Sequence, residues 1–271
     1  VISGFSDAER RTLPRVFDAA AEDYDRTRPA CPPAVFDDLV ALTGLAPGDR
    51  VVEIGPGTGQ ATAPLAERGL AVTAIEPGAA LAELARHRLA RFPDVRVQTC
   101  TFEAWEPAGG PFDAVAVFNA FHWIDPALRY RKPAELLRAG GHLVVAGIAW
   151  ARPADAERFW TDVQEDYRAV GFEGDPPPPP EAIEPWRLPP EAAPFFEAVA
   201  ARTYPPFRRV YTAEEYLANL GTQTGAAQLG EERRGEFLDR VRRRLADWPR
   251  VTATFVPRLV VGRRHAETSW R

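Results

Sequence analysis

This sequence predicts an α/β fold, a mostly parallel sheet covered by helices on both faces in three layers, and three observations carry that expectation. From Arg50 onward, short β-branched runs alternate with helical stretches. The runs are almost continuously apolar, as strands buried on both faces are. A glycine-rich turn joins the first run to the first helix of the series. The chain has 271 residues, 45% hydrophobic and 26% charged, and so lies far from the composition of disordered chains. That length suits one catalytic core with appended elements.

Two helical segments are expected ahead of any strand, at residues 14–24 and 33–42, the second opening on proline at its first turn. Strands then fall at 51–54, 71–75, 95–99, 112–118 and 142–148, with helices at 62–68, 79–91 and 127–138 between them. After Trp150 the rhythm stops. Residues 154–170 read as a helix, the five prolines of 176–180 as a stiff extended connector, and 191–200 as a further helix. A strand at 208–211, a helical pair and a final strand at 255–261 complete the pattern. In 231–248, Phe237, Leu238, Val241 and Leu245 recur on one helical face, leaving Arg240, Arg242, Arg243 and Arg244 to a solvated one. The expected organisation is an N-terminal helical cap (1–47), a core (48–150), a helical and proline-rich insertion roofing the substrate (151–201), and a C-terminal part that completes the core sheet (202–271).

Charge and composition narrow the function classes. A net charge of -5 and a pI near 5.6 provide no basic footprint, so no nucleic-acid partner is expected. No apolar run reaches the roughly 18 to 20 residues that cross a bilayer, and the chain does not open on a basic-then-apolar leader; no membrane partner is expected, and the cytoplasm is the expected location. Cys31 and Cys100 are too far apart to form a disulfide framework or a zinc spacing, and no metal site is expected. Methionine is absent, and Lys132 is the single lysine among many arginines, a bias that points to a GC-rich bacterial genome.

The segment Val51-Val52-Glu53-Ile54-Gly55-Pro56-Gly57-Thr58-Gly59 runs from a buried-type strand into a turn with glycines at alternate positions. Glycine there lets the backbone bend sharply and approach a ligand closely, at the strand end where open α/β sheets bind nucleotides. A dinucleotide reader wants a third glycine three residues after the second, and that position is Gln60, which disfavours an NAD-dependent oxidoreductase. Glu76 ends the second strand, 17 residues after Gly59, where a carboxylate can accept both hydroxyls of a ribose.

The spacing G-x-G-x-G, with Glu53 two residues ahead, resembles the first motif of class I methyltransferases that use S-adenosylmethionine (SAM). Thr101-Phe102-Glu103 is similar to that family's adenine-contacting segment, and residues 113–125 to its fourth-strand motif. Ala21-Glu22-Asp23-Tyr24-Asp25 with Arg28-Pro29 resembles its N-terminal cap signature. Residues 212–217 and 258–263 resemble the C-terminal part of the small-molecule branch that includes trans-aconitate and quinone-biosynthesis methyltransferases. The resemblance implies a Rossmann-like three-layer sandwich with a seven-stranded sheet and SAM as cofactor, leaving as S-adenosylhomocysteine. It implies a cofactor site of Tyr24, Arg28, Glu53, Gly55, Pro56, Gly57, Gly59, Glu76, Pro77, Thr101, Phe102, Glu103, Asn119, Ala120 and Trp123.

Methyl transfer from a sulfonium needs chiefly near-attack alignment and exclusion of water, and a base only where the acceptor must lose a proton. His122, leaving the fourth strand beside the expected sulfonium, is the candidate base; a structural or cofactor-shaping histidine is its alternative. Trp150, Trp160, Tyr204, Phe207 and Tyr216 are the candidate lining of an apolar acceptor pocket, with Thr222-Gln223-Thr224 as a polar wall. The partner expected is a small molecule, and the chain a monomer or homodimer. A catalytically silent SAM-fold protein acting as a partner or regulator is the alternative of another class, since fold does not fix function.

Overall fold

The computed structural model describes residues 17–152, 158–172 and 176–266, and its sheet has eight strands. Helix α1 (Ala21–Thr27) and helix α2 (Pro33–Thr43) precede strand β1 (Arg50–Ile54). The alternation continues through α3 (Thr62–Glu67), β2 (Ala71–Glu76), α4 (Ala79–Leu89), β3 (Val95–Thr99), β4 (Phe112–Phe118), α5 (Arg131–Leu136) and β5 (Leu137–Ala151). Then come α6 (Phe159–Ala169), β6 (Phe196–Thr203), β7 (Phe207–Thr212), α7 (Ala213–Gly221), α8 (Thr224–Gln228), α9 (Glu231–Arg244) and β8 (Arg250–Arg264). Residues 14–16 of the first expected helix and 154–157 of the helix expected after Trp150 lie outside the described residues.

The sheet order is β3-β2-β1-β4-β5-β8-β6, with β7 also paired to β8. The first five strands are parallel, and β8 pairs antiparallel to β5, β6 and β7. Alternate residues of each central strand feed the two faces, as the two-residue repeat of a strand requires. Val52, Val115, Leu143 and Val145 pack on one face against Phe121, Tyr130 and Leu136. Val51, Val72, Ala114 and Val144 pack on the other against Val35, Phe36 and Leu39 of α2. A third apolar cluster lies beyond the strand ends, where Phe159, Trp160 and Val163 of α6 meet Tyr216 and Leu220 of α7, Phe237 and Val241 of α9, and Phe255 of β8.

Two elements differ from expectation. The stretch expected as a helix at 191–200 has only a 3-10 turn at Pro190–Ala192 and then becomes strand β6, which makes the sheet eight strands and not seven. Its Ala and Glu content favours helix, but Pro194 interrupts one, and the flank of β8 offers a ladder of backbone donors and acceptors that β6 satisfies. The helix expected at 127–138 is confined to Arg131–Leu136, because β5 begins at Leu137 and a bulge sets its register against β4.

Candidate active site

The turn after β1 depends on its glycines. Gly55, Gly57 and Gly59 have φ of 67°, 59° and 80°, in the left-handed region that side chains with Cβ avoid. The neighbours are also close. A Cβ on Gly55 would lie 2.6 Å from Ala120 Cβ, one on Gly57 3.4 Å from Tyr24 Cε1, and one on Gly59 2.9 Å from Leu89 Cδ1. Pro56 between them is buried.

Two carboxyls stand under this turn. Glu76 closes β2 at 5% exposure, accepting the Gly57 N–H at Oε2 and the Gly78 N–H at Oε1, each at 2.9 Å. Burial pushes it up to about 7, and the two backbone donors pull the other way. Glu53, from the middle of β1, is fully buried with neither carboxyl oxygen hydrogen-bonded, and burial pushes it up to about 7 as well, the Thr62 hydroxyl partly offsetting this and the Glu76 charge adding to it. A folded-state pKa raised above the unfolded one means the folded protein holds the proton more tightly. The stability it contributes is full below the unfolded value, near 4.5, and is lost as pH rises through about 7. The protein without ligand is therefore expected to resist urea better at about pH 5 than at about pH 8. Glu76→Gln should remove part of that dependence, and a flat pH profile would show that these groups are not buried as described.

The N-terminal residues close over the turn. The Asp18 carboxylate accepts the Ala80 and Leu81 N–H groups at 2.7 and 3.0 Å, capping α4. Asp25 of α1 takes a forked ion pair from Arg88 of α4 at 2.7 and 2.8 Å and also accepts from the Thr58 hydroxyl. The Tyr24 ring lies against Gly57, and the Arg28 guanidinium sits 5.0 Å from that ring while donating to the hydroxyl and carbonyl oxygens of Thr222. Phe17 packs edge-on to Tyr24 and to Trp123. Tyr24, Arg28, Glu76, Ala120 and Trp123, far apart in sequence, thus meet around the glycine turn. Asp18 and Arg88 were not anticipated, since isolated Asp and Arg residues on helices carry no spacing that marks them, and Asp25 was marked only as part of the cap signature.

At the end of β4, Asn119 has φ 57°, the single positive φ outside glycine among the described residues, and its Oδ1 accepts the Ile148 N–H at 2.8 Å. The His122 ring stands 4.8 Å from the Trp123 ring, and burial, aided by Arg129 and Arg28, pushes its imidazolium down to about 4. Around residue 101 the chain turns. Thr101 accepts the Ala104 N–H, Glu103 accepts the Asp125 N–H, and the Lys132 ammonium binds the carbonyls of Phe102, Glu103 and Trp105. The Phe102 ring itself is buried in the core cluster, while Pro77 is exposed.

Of the expected acceptor-side aromatics, Trp150, Trp160, Phe207 and Tyr216 gather in the third cluster, with Trp150 4.8 Å from Phe255 and 6.2 Å from Trp160. Trp160 and Tyr216 are buried inside it, the Trp160 N–H donating to the Thr252 carbonyl. Tyr204 stands apart. It packs with α2 in the second cluster, and its hydroxyl donates to Asp38.

Residues 51–141 match the model of a methyltransferase domain. An uncharacterised methyltransferase of Mycobacterium bovis is 35% identical over 167 residues, 62% of this chain, and the match spans 63% of that protein. Another, from Geobacillus kaustophilus, is 31% identical over 166 residues, 58% of this chain and 74% of its own length. This chain belongs to the class I SAM-dependent methyltransferases. Among solved structures, a protein of Anaeromyxobacter dehalogenans described as a type II methyltransferase shares the fold at a TM-score of 0.56 and 18% identity, covering 89% of this chain and 99% of its own. No helix among the described residues is long and apolar enough to cross a membrane.

The residues present fit the family's cofactor. A turn in which Gly55 and Gly59 leave no room for Cβ offers its backbone to a ligand, Glu76 has the acceptor chemistry for a ribose diol, and Glu53 leaves two buried carboxyl oxygens without a partner beneath the turn.

Proposed function

We propose that the protein catalyses methyl transfer from SAM to a small-molecule acceptor held between the end of β4 and the third apolar cluster. The observation that carries this is the glycine turn clasped from one side by Glu76 and from the other by Tyr24. SAM supplies an activated methyl group on a sulfonium. Gly55, Gly57 and Gly59 cradle the methionyl and ribose parts, and Glu76 accepts from the ribose hydroxyls. Tyr24 and Arg28 close over the methionyl carboxylate, the guanidinium offering it a charge-assisted fork. The turn at Thr101, Phe102 and Glu103 flanks the adenine. Asn119, Ala120 and Trp123 shape the sulfonium end, where an indole face favours positive charge. Their shared work is alignment and exclusion of water.

His122 is neutral throughout the physiological range, so it is always ready to accept a proton, but a conjugate acid near 4 makes it a weak base. It therefore serves an acceptor that loses its proton readily, or orients one that needs no base. His122→Ala should leave cofactor affinity within about twofold while lowering turnover roughly 100-fold or more if the base role holds. Unchanged turnover would retire that role. The reading as a whole is tested by incubating the protein with labelled SAM and a panel of small-molecule acceptors, with titration of S-adenosylhomocysteine alongside. Labelled product is expected; tight cofactor binding with no product from any acceptor would favour the silent partner role instead.

A further inference from the structure

The C-terminal end of α1 is held by side chains of β7 and α7. The carbonyls of Arg26 and Arg28 accept from the Arg209 guanidinium at 2.7 and 3.1 Å. The Thr27 carbonyl accepts from the Tyr211 hydroxyl and from the Asn219 amide, each at 3.0 Å. A helix end leaves its last carbonyls without partners of its own, and here the C-terminal part of the chain supplies them. Thr27, Asn219 and Thr222, which meet at this junction, are all fully buried.

The Arg28 side chain is gripped at the same place. Its Nε donates to the Thr222 hydroxyl at 3.2 Å, and its Nη2 to the Thr222 carbonyl. The Thr222 hydroxyl in turn donates to the Asn219 carbonyl at 2.7 Å, which directs the oxygen's lone pairs toward Arg28. Tyr24 bounds the guanidinium on another side, 5.0 Å from it, and the same ring lies against Gly57 of the glycine turn. The Arg28 charge also reaches His122 at the end of β4. A guanidinium carries five N–H donors in one plane, and the two bonded to Thr222 lie along one edge. The Nη1 edge is left over. The groups acting on the Arg28 charge are Tyr24 and Tyr211, and no carboxylate of the described residues pairs with it.

We propose that Thr222, backed by Asn219, is a positioning residue for the cofactor: it turns Arg28 so that the remaining edge of the guanidinium meets the methionyl carboxylate of SAM. This rests on the reading in which Arg28 closes over that carboxylate. A long side chain that is already held in one orientation loses less rotamer freedom when a ligand arrives, and binds it more tightly for that reason. Thr222 imposes the orientation by gripping one edge. Tyr211 and Asn219, by holding the Thr27 carbonyl, fix the backbone from which the Arg28 side chain leaves.

The test measures, by titration calorimetry on the whole protein, binding of S-adenosylhomocysteine and of S-adenosyl-3-thiopropylamine, which keeps the amine and lacks the carboxylate. The wild type should prefer S-adenosylhomocysteine by about 10- to 150-fold, the range for hydrogen bonds to a charged group, and Arg28→Met should abolish the preference. Thr222→Val should cut it about fivefold while leaving affinity for the amine within about twofold, and Thr222→Ser, which keeps the hydroxyl, should preserve it. If Arg28→Met loses the preference and Thr222→Val keeps it, the inference is overturned and the reading of Arg28 stands. Equal weakening of both ligands by Thr222→Val also overturns the inference, because that is what a purely structural residue gives. A preference that survives in Arg28→Met, or a wild type without one, overturns the reading of Arg28 and the inference together. Should Thr222→Val fail to fold, Thr222→Cys carries the comparison, its thiol being a weak acceptor: a reduced preference supports the role and an unchanged one overturns it.

Discussion

Gly55→Ala should destabilise the protein by about 2–5 kcal/mol, the largest effect expected of any single-carbon change here. Left-handed backbone costs a residue with Cβ roughly 1–2 kcal/mol, and forcing a carbon into a filled space adds about 1–3 kcal/mol. Both apply at Gly55, whose φ is 67° and whose added Cβ would meet Ala120 Cβ at 2.6 Å. The midpoint of thermal unfolding should fall by about 4–9 °C. Adding Ala120→Gly removes the overlap but not the backbone strain, so the double variant should recover part of the loss. A single variant that melts like the wild type would mean that the turn has another shape.

Glu76→Ala should weaken S-adenosylhomocysteine binding by roughly 1.5–3 kcal/mol, the range for a lost hydrogen bond to a charged group, or about 10- to 150-fold in Kd. The same carboxylate binds the N–H groups of Gly57 and Gly78, so part of the loss comes from a loosened turn. Glu76→Gln separates the two contributions, because the amide keeps the size and one acceptor oxygen while losing the charge. Titration calorimetry reads both, and full affinity in Glu76→Ala would place the cofactor site elsewhere.

The turn and its carboxylates were legible in the sequence because their physics is local. A left-handed bend demands glycine at fixed spacing, and a buried strand reads as a run of valine and isoleucine wherever it occurs. Strand β6 was not legible, because its alanines and the glutamates at 191 and 197 favour a helix and only the waiting flank of β8 overrules them; Pro194 just ahead of it was the one warning. The clasp of Asp25 on Arg88 and the bond from Arg28 to Thr222 join residues 63 and 194 positions apart, and no pattern in a single sequence marks such pairs. Tyr204 shows the converse, since its position beside the other aromatics in sequence says nothing of which cluster receives it.

Strands β5 and β8 each run for 15 residues, about 50 Å of extended chain. Their lower halves are woven into the nucleotide-binding sheet and their upper halves into the aromatic third cluster. A hinge between these regions would have to bend a continuous two-stranded ribbon, so they are built to move as one rigid piece. The seven-residue helix α1 stands outside that ribbon, moored to its surroundings by side-chain bonds such as that from Arg88.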